Sequence, residues 1–351
     1  MESIHGGDIY RNHVILDFSV NMNPMGIPES IRQALFSAVG DCGAYPDIEA
    51  EKLSAAVGEM TGVPREWLLF GNGASELFMA IIHGLRPSRT VIPVPSFYGY
   101  EHAAGAVSGE VVYVPLEEKD RFLPGEEMLL NLTEDTDLLF LANPNNPTGQ
   151  LIGKTELKKI LDRCLKKQIT VVLDECFVEF TGEENSMLSE LSVYENLIVV
   201  RAFTKIFSIP GVRLGYLACK NRDLRERIRR QLPEWNLSTF AQAAGLACAG
   251  ETGFVEETVS YVKAEREYLA NGLARVLGTK VKLFPGAANF ILLQTGLPLG
   301  KKLLERGILI RDCKNFRGLT GGYYRIAVKS RPDNEKLLIT IGEITWNESN
   351  M

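Results

Sequence analysis

No two of the six cysteines in this chain (Cys42, Cys164, Cys176, Cys219, Cys248, Cys313) are spaced as C-x-x-C. That scatter speaks against a disulfide framework or a zinc ribbon and fits free thiols in a reducing compartment, so a cytoplasmic location is expected. The four histidines, His5, His13, His83 and His102, share no metal-ligand spacing, and no metal is expected. No run of Lys and Arg is long enough for a phosphate-backbone stripe, and the net charge of −6 gives no reason to expect a nucleic-acid partner. No apolar stretch approaches the ~20 residues of a membrane span. The opening Met1-Glu2-Ser3-Ile4-His5-Gly6-Gly7-Asp8 has neither the basic start nor the apolar core of a signal peptide. Internal repeats and low-complexity linkers are absent too.

What is present is an ordinary globular composition, 45% apolar and 23% charged over 351 residues, long enough for two domains and a substantial core. Short apolar runs at 90–94, 111–114, 138–142, 170–173, 197–200 and 214–218 read as buried strands. Between them lie helical patterns, the best at 154–167 with Leu157, Ile160, Leu161, Cys164 and Leu165 on one face. Strands alternating with helices predict an α/β domain whose mostly parallel sheet is covered on both faces. From Glu251 the texture changes to a long amphipathic helix at 254–277, strands at 290–293, 308–311 and 323–328, and a final helix near 333–344. The expected division is an N-terminal arm and part of the small domain at 1–44, a large domain at 45–250 and the rest of a smaller α+β domain at 251–351, joined through the long helix.

Three strand ends carry chemistry. Lys205 stands in Phe203-Thr204-Lys205-Ile206-Phe207-Ser208-Ile209-Pro210-Gly211-Val212-Arg213. Asn146 stands in Asn143-Pro144-Asn145-Asn146-Pro147-Thr148-Gly149, and Asp174 follows the fully apolar 170–173. A lone lysine after a strand is ordinarily a solvated loop residue. Together these groups describe a pocket for pyridoxal 5′-phosphate (PLP). The lysine amine forms a Schiff base with the cofactor aldehyde, and the carboxylate keeps the pyridine nitrogen protonated. The amide of Asn146 bonds the ring hydroxyl oxygen, and Arg213 neutralises the phosphate. Gly71-Asn72-Gly73-Ala74-Ser75-Glu76 opens a helix whose N-terminal amides can bind an anion; beside Lys205 and Arg213 it reads as the phosphate cup, and Thr204 is expected to bind the cofactor as well. The rival dinucleotide fingerprint fails, because Glu76 occupies the third glycine position. Phe97 can stack on the pyridine face, although an ordinary core aromatic would look the same in isolation.

These motifs resemble the fold-type I PLP enzymes, specifically the class I/II aminotransferases, across essentially the whole chain. Within that superfamily the likeness is to the threonine-phosphate decarboxylase branch, itself similar to histidinol-phosphate aminotransferases. It is carried by His5-Gly6-Gly7, by Asp17-Phe18-Ser19-Val20-Asn21-Met22-Asn23-Pro24, and by Tyr45-Pro46-Asp47. It is carried further by Asp174-Glu175-Cys176-Phe177 and by Arg311-Asp312-Cys313-Lys314-Asn315-Phe316-Arg317-Gly318-Leu319. The resemblance implies that Arg325 grips the substrate carboxylate and Arg311 is a second ligand arginine. It implies that His5, Gly6 and Asn21 meet a phosphorylated amino acid, with Asn146 touching cofactor and ligand. It also implies that Tyr45 reaches the cofactor phosphate of a neighbouring subunit, hence a homodimer. Phe177 replaces the tyrosine most aminotransferases place beside the ring oxygen, and Ala202 replaces a serine of the phosphate cup. The expected activity is PLP-dependent decarboxylation. The alternatives are amino transfer on the same scaffold and a non-catalytic sensing module; the intact Lys205, Asp174, Asn146 and Arg325 argue against the module.

Overall fold

A computed structural model describes residues 5–349. The reading of Met1 to Ile4 lies outside the described residues. Thirteen strands occur among the described residues. They are β1 (Leu16–Asp17), β2 (Leu68–Gly71), β3 (Arg89–Val94), β4 (Glu110–Pro115), β5 (Leu138–Ala142), β6 (Thr170–Asp174), β7 (Leu197–Ala202) and β8 (Gly215–Ala218). There follow β9 (Val281–Phe284), β10 (Phe290–Thr295), β11 (Ile308–Leu309), β12 (Arg311–Asp312) and β13 (Tyr323–Ala327).

Strands β2 to β8 form a seven-stranded sheet in the order β2-β8-β7-β6-β5-β3-β4. Only β8 runs against the others in it. Its central strands β5, β6 and β7 are apolar except at Thr170, Asp174 and Arg201, because both faces are covered. Leu139, Leu141, Val171, Leu173 and Val199 enter one core. The alternate residues Phe140, Val172, Ile198 and Val200 enter the other. The four-stranded antiparallel sheet β12-β13-β10-β9 packs Ile291, Leu293 and Ile326 against Leu269, Leu273, Leu337 and Ile341. Leu269 and Leu273 belong to the helix Thr252–Leu277, and Leu337 and Ile341 to the helix Arg331–Ser349.

Two sequence expectations need correction. The run 308–311 is two strands: β11 pairs in parallel with β1, whereas β12 pairs with β13 in the other sheet. An apolar run reports burial and is silent about a change of partner. Leu165 is 42% exposed, although its helix, Lys154–Lys166, buries Leu157, Ile160, Leu161 and Cys164. At ~100° per residue, position 165 falls at the edge of the arc those four define.

The N-terminal segment is stitched into the distant C-terminal part. β1 lies beside β11, Phe18 donates its N–H to Leu309 O at 2.7 Å, and Ala327 donates to Phe18 O at 2.9 Å. Among the described residues no helix is long and apolar enough to cross a membrane.

Candidate active site

The carboxyl ends of β3, β5, β6 and β7 open into a cavity of about 280 Å³, whose lining includes Val94, Ala142, Asp174 and Ala202. Ligands in α/β sheets bind beyond these strand ends, where the next loops and helix N-termini converge. Asp174 ends β6 and is 8% exposed. Its Oδ1 accepts the Cys176 N–H at 2.9 Å and its Oδ2 accepts the Tyr100 hydroxyl. Burial raises its pKa, against the lowering by those two donors. A cation placed beside it would reverse the balance and keep it ionised.

Lys205 lies in the short helix Phe203–Ile206 directly after β7, and its amine reaches the cavity 3.9 Å from Met22 Sδ. Desolvation, followed by the field of Arg325, depresses its pKa to about 8. Asn23 fixes the loop: its N–H donates to Lys205 O at 3.1 Å and its Nδ2 to Ile206 O at 2.7 Å. Its own carbonyl accepts the Ser208 hydroxyl at 2.8 Å.

Opposite, Gly73 caps the helix Ala74–Leu85 at φ 76°, and a Cβ there would sit 2.7 Å from Arg213 Nη2. Arg213 holds a left-handed φ of 61°, which costs a non-glycine residue ~1–2 kcal/mol. That backbone aims its guanidinium at Asn72 O, 3.2 Å away, on the glycine turn. The result is a cradle of helix amides and one arginine.

A second group of cations faces the cavity from the C-terminal part. Arg325 of β13 donates through Nη1 to Asn146 Oδ1 and through Nη2 to Ser19 O at 2.8 Å. Its buried Nε has no hydrogen-bond partner, and desolvation lowers its pKa to about 10. Asn21 Oδ1 is likewise buried and unpartnered. Arg311 of β12 donates to Asn315 Oδ1 at 2.7 Å and lies 5.1 Å from the centre of the Phe316 ring. His5 lies 6.0 Å from Phe97, and desolvation with the fields of Arg311 and Arg325 lowers its pKa. A Cβ on Gly6 would collide with the Ser19 carbonyl.

Thus His5, Gly6, Asn21, Gly73, Ala74, Phe97, Asn146, Asp174, Thr204, Lys205, Arg213, Arg311 and Arg325 all line one cavity. Tyr45 does not. It is 81% exposed, with its ring 4.9 Å from Trp235. The residues present fit PLP: a cradle that a Cβ would fill, an amine of lowered pKa, and a buried carboxylate with donors on two sides. Sequence reasoning missed Tyr100, whose ring stacks on Phe140 at 5.0 Å and meets Phe97 edge-on at 5.7 Å. Its spacing of three from Phe97 on one helical turn was the available signal. Ser19, Glu101 and Arg317 were missed as well.

Residues 13–341 match the family model described as aminotransferase class I and II. The chain is 34% identical over 353 residues to the threonine-phosphate decarboxylase of Salmonella typhimurium, covering 97% of this chain and 96% of the relative. Among solved structures it is similar to the histidinol-phosphate aminotransferase from Clostridium acetobutylicum, with 32% identity and a TM-score of 0.90 over 95% of this chain and 100% of that one. It is also similar to the L-threonine-O-3-phosphate decarboxylase from Porphyromonas gingivalis, with 27% identity and a TM-score of 0.84 over 95% and 100% of the two chains.

Proposed function

As the chain belongs to the class I and II aminotransferase family, we propose that it is a carboxy-lyase converting O-phospho-L-threonine to an amino-alcohol phosphate and CO2. Its cofactor is pyridoxal 5′-phosphate. When bound, the cofactor accepts the electron pair of whichever Cα bond stands perpendicular to its ring.

The chain's own groups do the rest. Gly73, Ala74, Thr204 and Arg213 hold the cofactor phosphate. Asp174 holds the ring nitrogen, Asn146 the ring oxygen, and Phe97 covers one face. Lys205 anchors the cofactor aldehyde until substrate arrives, and then its amine is placed to carry to Cα the proton that replaces CO2. Arg325 grips the α-carboxylate and sets its angle to the ring. Arg311, with His5, Gly6 and Asn21, takes the phosphate.

The observation that carries this reading is the convergence of two buried arginines with the unpartnered Asn21 Oδ1 and Arg325 Nε on one cavity. A substrate with two anionic ends satisfies such a site. The likeness to the Salmonella decarboxylase over nearly the full length of both chains supports the same reaction. A second reading, amino transfer of the histidinol-phosphate type, is favoured by the similarity to the Clostridium structure.

The reading includes a homodimer in which Tyr45 serves the neighbouring subunit's cradle, supported by its exposure outside its own cavity. It includes a cytoplasmic location, supported by six free cysteines.

The deciding assay incubates the purified holoenzyme with O-phospho-L-threonine, with and without 2-oxoglutarate. CO2 release without the keto acid is the expected result. Product that forms only with 2-oxoglutarate, as glutamate accumulates, moves the chain to the aminotransferase reading.

A further inference from the structure

The Arg311 guanidinium is held by two side chains of the loop that follows it. Asn315 Oδ1 accepts its Nη2–H at 2.7 Å, and the Phe316 ring lies 5.1 Å beneath it. The backbone carrying those side chains is anchored at its ends. Cys313 N–H donates to Tyr323 O at 2.9 Å, and Leu319 is buried. Between those ends residues 314, 315, 317 and 318 are exposed. From this exposed stretch the half-exposed Arg317 reaches the helix Tyr98–Ala104. Its Nη2 donates to Glu101 Oε1 at 2.7 Å and its Nε to Oε2 at 3.3 Å, in a two-pronged pair. The same guanidinium lies 4.0 Å from the centre of the Tyr113 ring of β4. Glu101, Tyr113 and Arg317 all line the cavity.

We propose that Glu101 and Arg317 form a clamp across the cavity mouth that positions Arg311 for the substrate's phosphate. They are positioning residues, and the substrate assignment rests on the reading above. The pair joins the β12–β13 side of the cavity to the helix that carries Tyr100. It fixes the exposed stretch from which Asn315 and Phe316 steady Arg311. A half-exposed ion pair is ordinarily worth little. Here the forked geometry and the Tyr113 ring under the guanidinium hold both partners in one arrangement, which removes much of the usual entropic cost.

The test is a double-mutant cycle in the holoenzyme, with Glu101→Gln and Arg317→Gln made singly and together at fixed ionic strength. Three quantities are measured: the dissociation constant of inorganic phosphate, KM and kcat for O-phospho-L-threonine, and amide exchange across 313–319. Each single variant is expected to weaken phosphate binding and raise KM about fivefold, with kcat and PLP affinity retained. The double variant is expected to be no worse than either single one, and exchange across 313–319 should quicken equally in all three. Tighter binding in Glu101→Gln would show Arg317 to be an anion ligand that Glu101 restrains, and would overturn the clamp. Additive losses, no change, or a wild-type holoenzyme that holds no phosphate would overturn it as well. A wild type that binds phosphate but releases no CO2 sinks the proposed reaction, while the phosphate arm still decides the clamp.

Discussion

Arg311 and Arg325 are direct cross-strand partners in the antiparallel pair β12–β13, 8% and 6% exposed respectively. Like charges in that relation repel, and burial removes the water that would screen them. The field of Arg311 is among the causes that lower the pKa of Arg325. The sheet therefore holds an unfavourable arrangement that a bound anion relieves.

Replacing Arg311 by Gln separates ligand binding from stability. The unliganded protein should melt about 1–2 °C higher as the repulsion is lost. KM for O-phospho-L-threonine should rise about 10- to 100-fold, the loss of one charge-assisted hydrogen bond. Calorimetry and steady-state kinetics on one preparation check both, and a lower melting temperature contradicts the account.

Lys205→Ala removes the amine that ends in the cavity. The visible absorption band of lysine-bound cofactor should vanish, together with covalent trapping by borohydride. A mutant that keeps both would place the anchoring amine elsewhere.

Asp174→Asn keeps the size of the side chain and removes the charge proposed to hold the ring nitrogen. Turnover should fall at least ~100-fold while part of the PLP remains bound. Tyr100→Phe removes only the hydroxyl donor to that carboxylate and should cost about tenfold. Unchanged turnover in Tyr100→Phe would show that Tyr100 acts through packing alone.

The lowered Lys205 pKa makes a pH prediction for the cofactor-free protein. The folded value is about 8 against an ordinary 10.5, so between them the unfolded chain binds more protons than the folded one. Stability contributed by this residue therefore rises with pH across that window, and the full penalty is present below it. The melting temperature of Lys205→Met should exceed that of the wild type most clearly below pH 8 and converge with it as pH rises toward 10.5. The rate at which the cofactor-free wild type captures PLP should increase through pH 8, as the neutral amine becomes the major form.

The cofactor half of the site was legible because its groups sit at the ends of fully buried strands. Runs such as 138–142 and 171–173 announce themselves by being apolar at every position, and Asp174 is conspicuous as the charge that ends one. The resemblance of the flanking motifs supplied His5, Asn21, Arg311 and Arg325, whose convergence no periodicity could reveal. Tyr100 was hidden because a tyrosine on an apolar helix face is ordinarily core, and its hydroxyl partner is 74 positions away. The Arg317–Glu101 pair spans 216 positions and joins two half-exposed side chains, which in sequence look like any surface charges. The division of 308–311 between two sheets was invisible because strand partners are chosen by tertiary geometry and not by local pattern.

The bond from Arg325 Nη2 to Ser19 O closes a separation of 306 residues, which has a consequence for the chain as it leaves the ribosome. Every residue proposed to face the cofactor, up to Arg213, emerges roughly a hundred residues or more ahead of Arg325, a lead of at least about 5–20 s at ordinary rates of synthesis. For most of that interval the N-terminal segment has no β11 to lie beside, and for all of it the Ser19 carbonyl has no guanidinium to accept from. The groups proposed to recognise the substrate's two anionic ends are assembled last, by the return of the carboxyl-terminal strands onto the N-terminal segment.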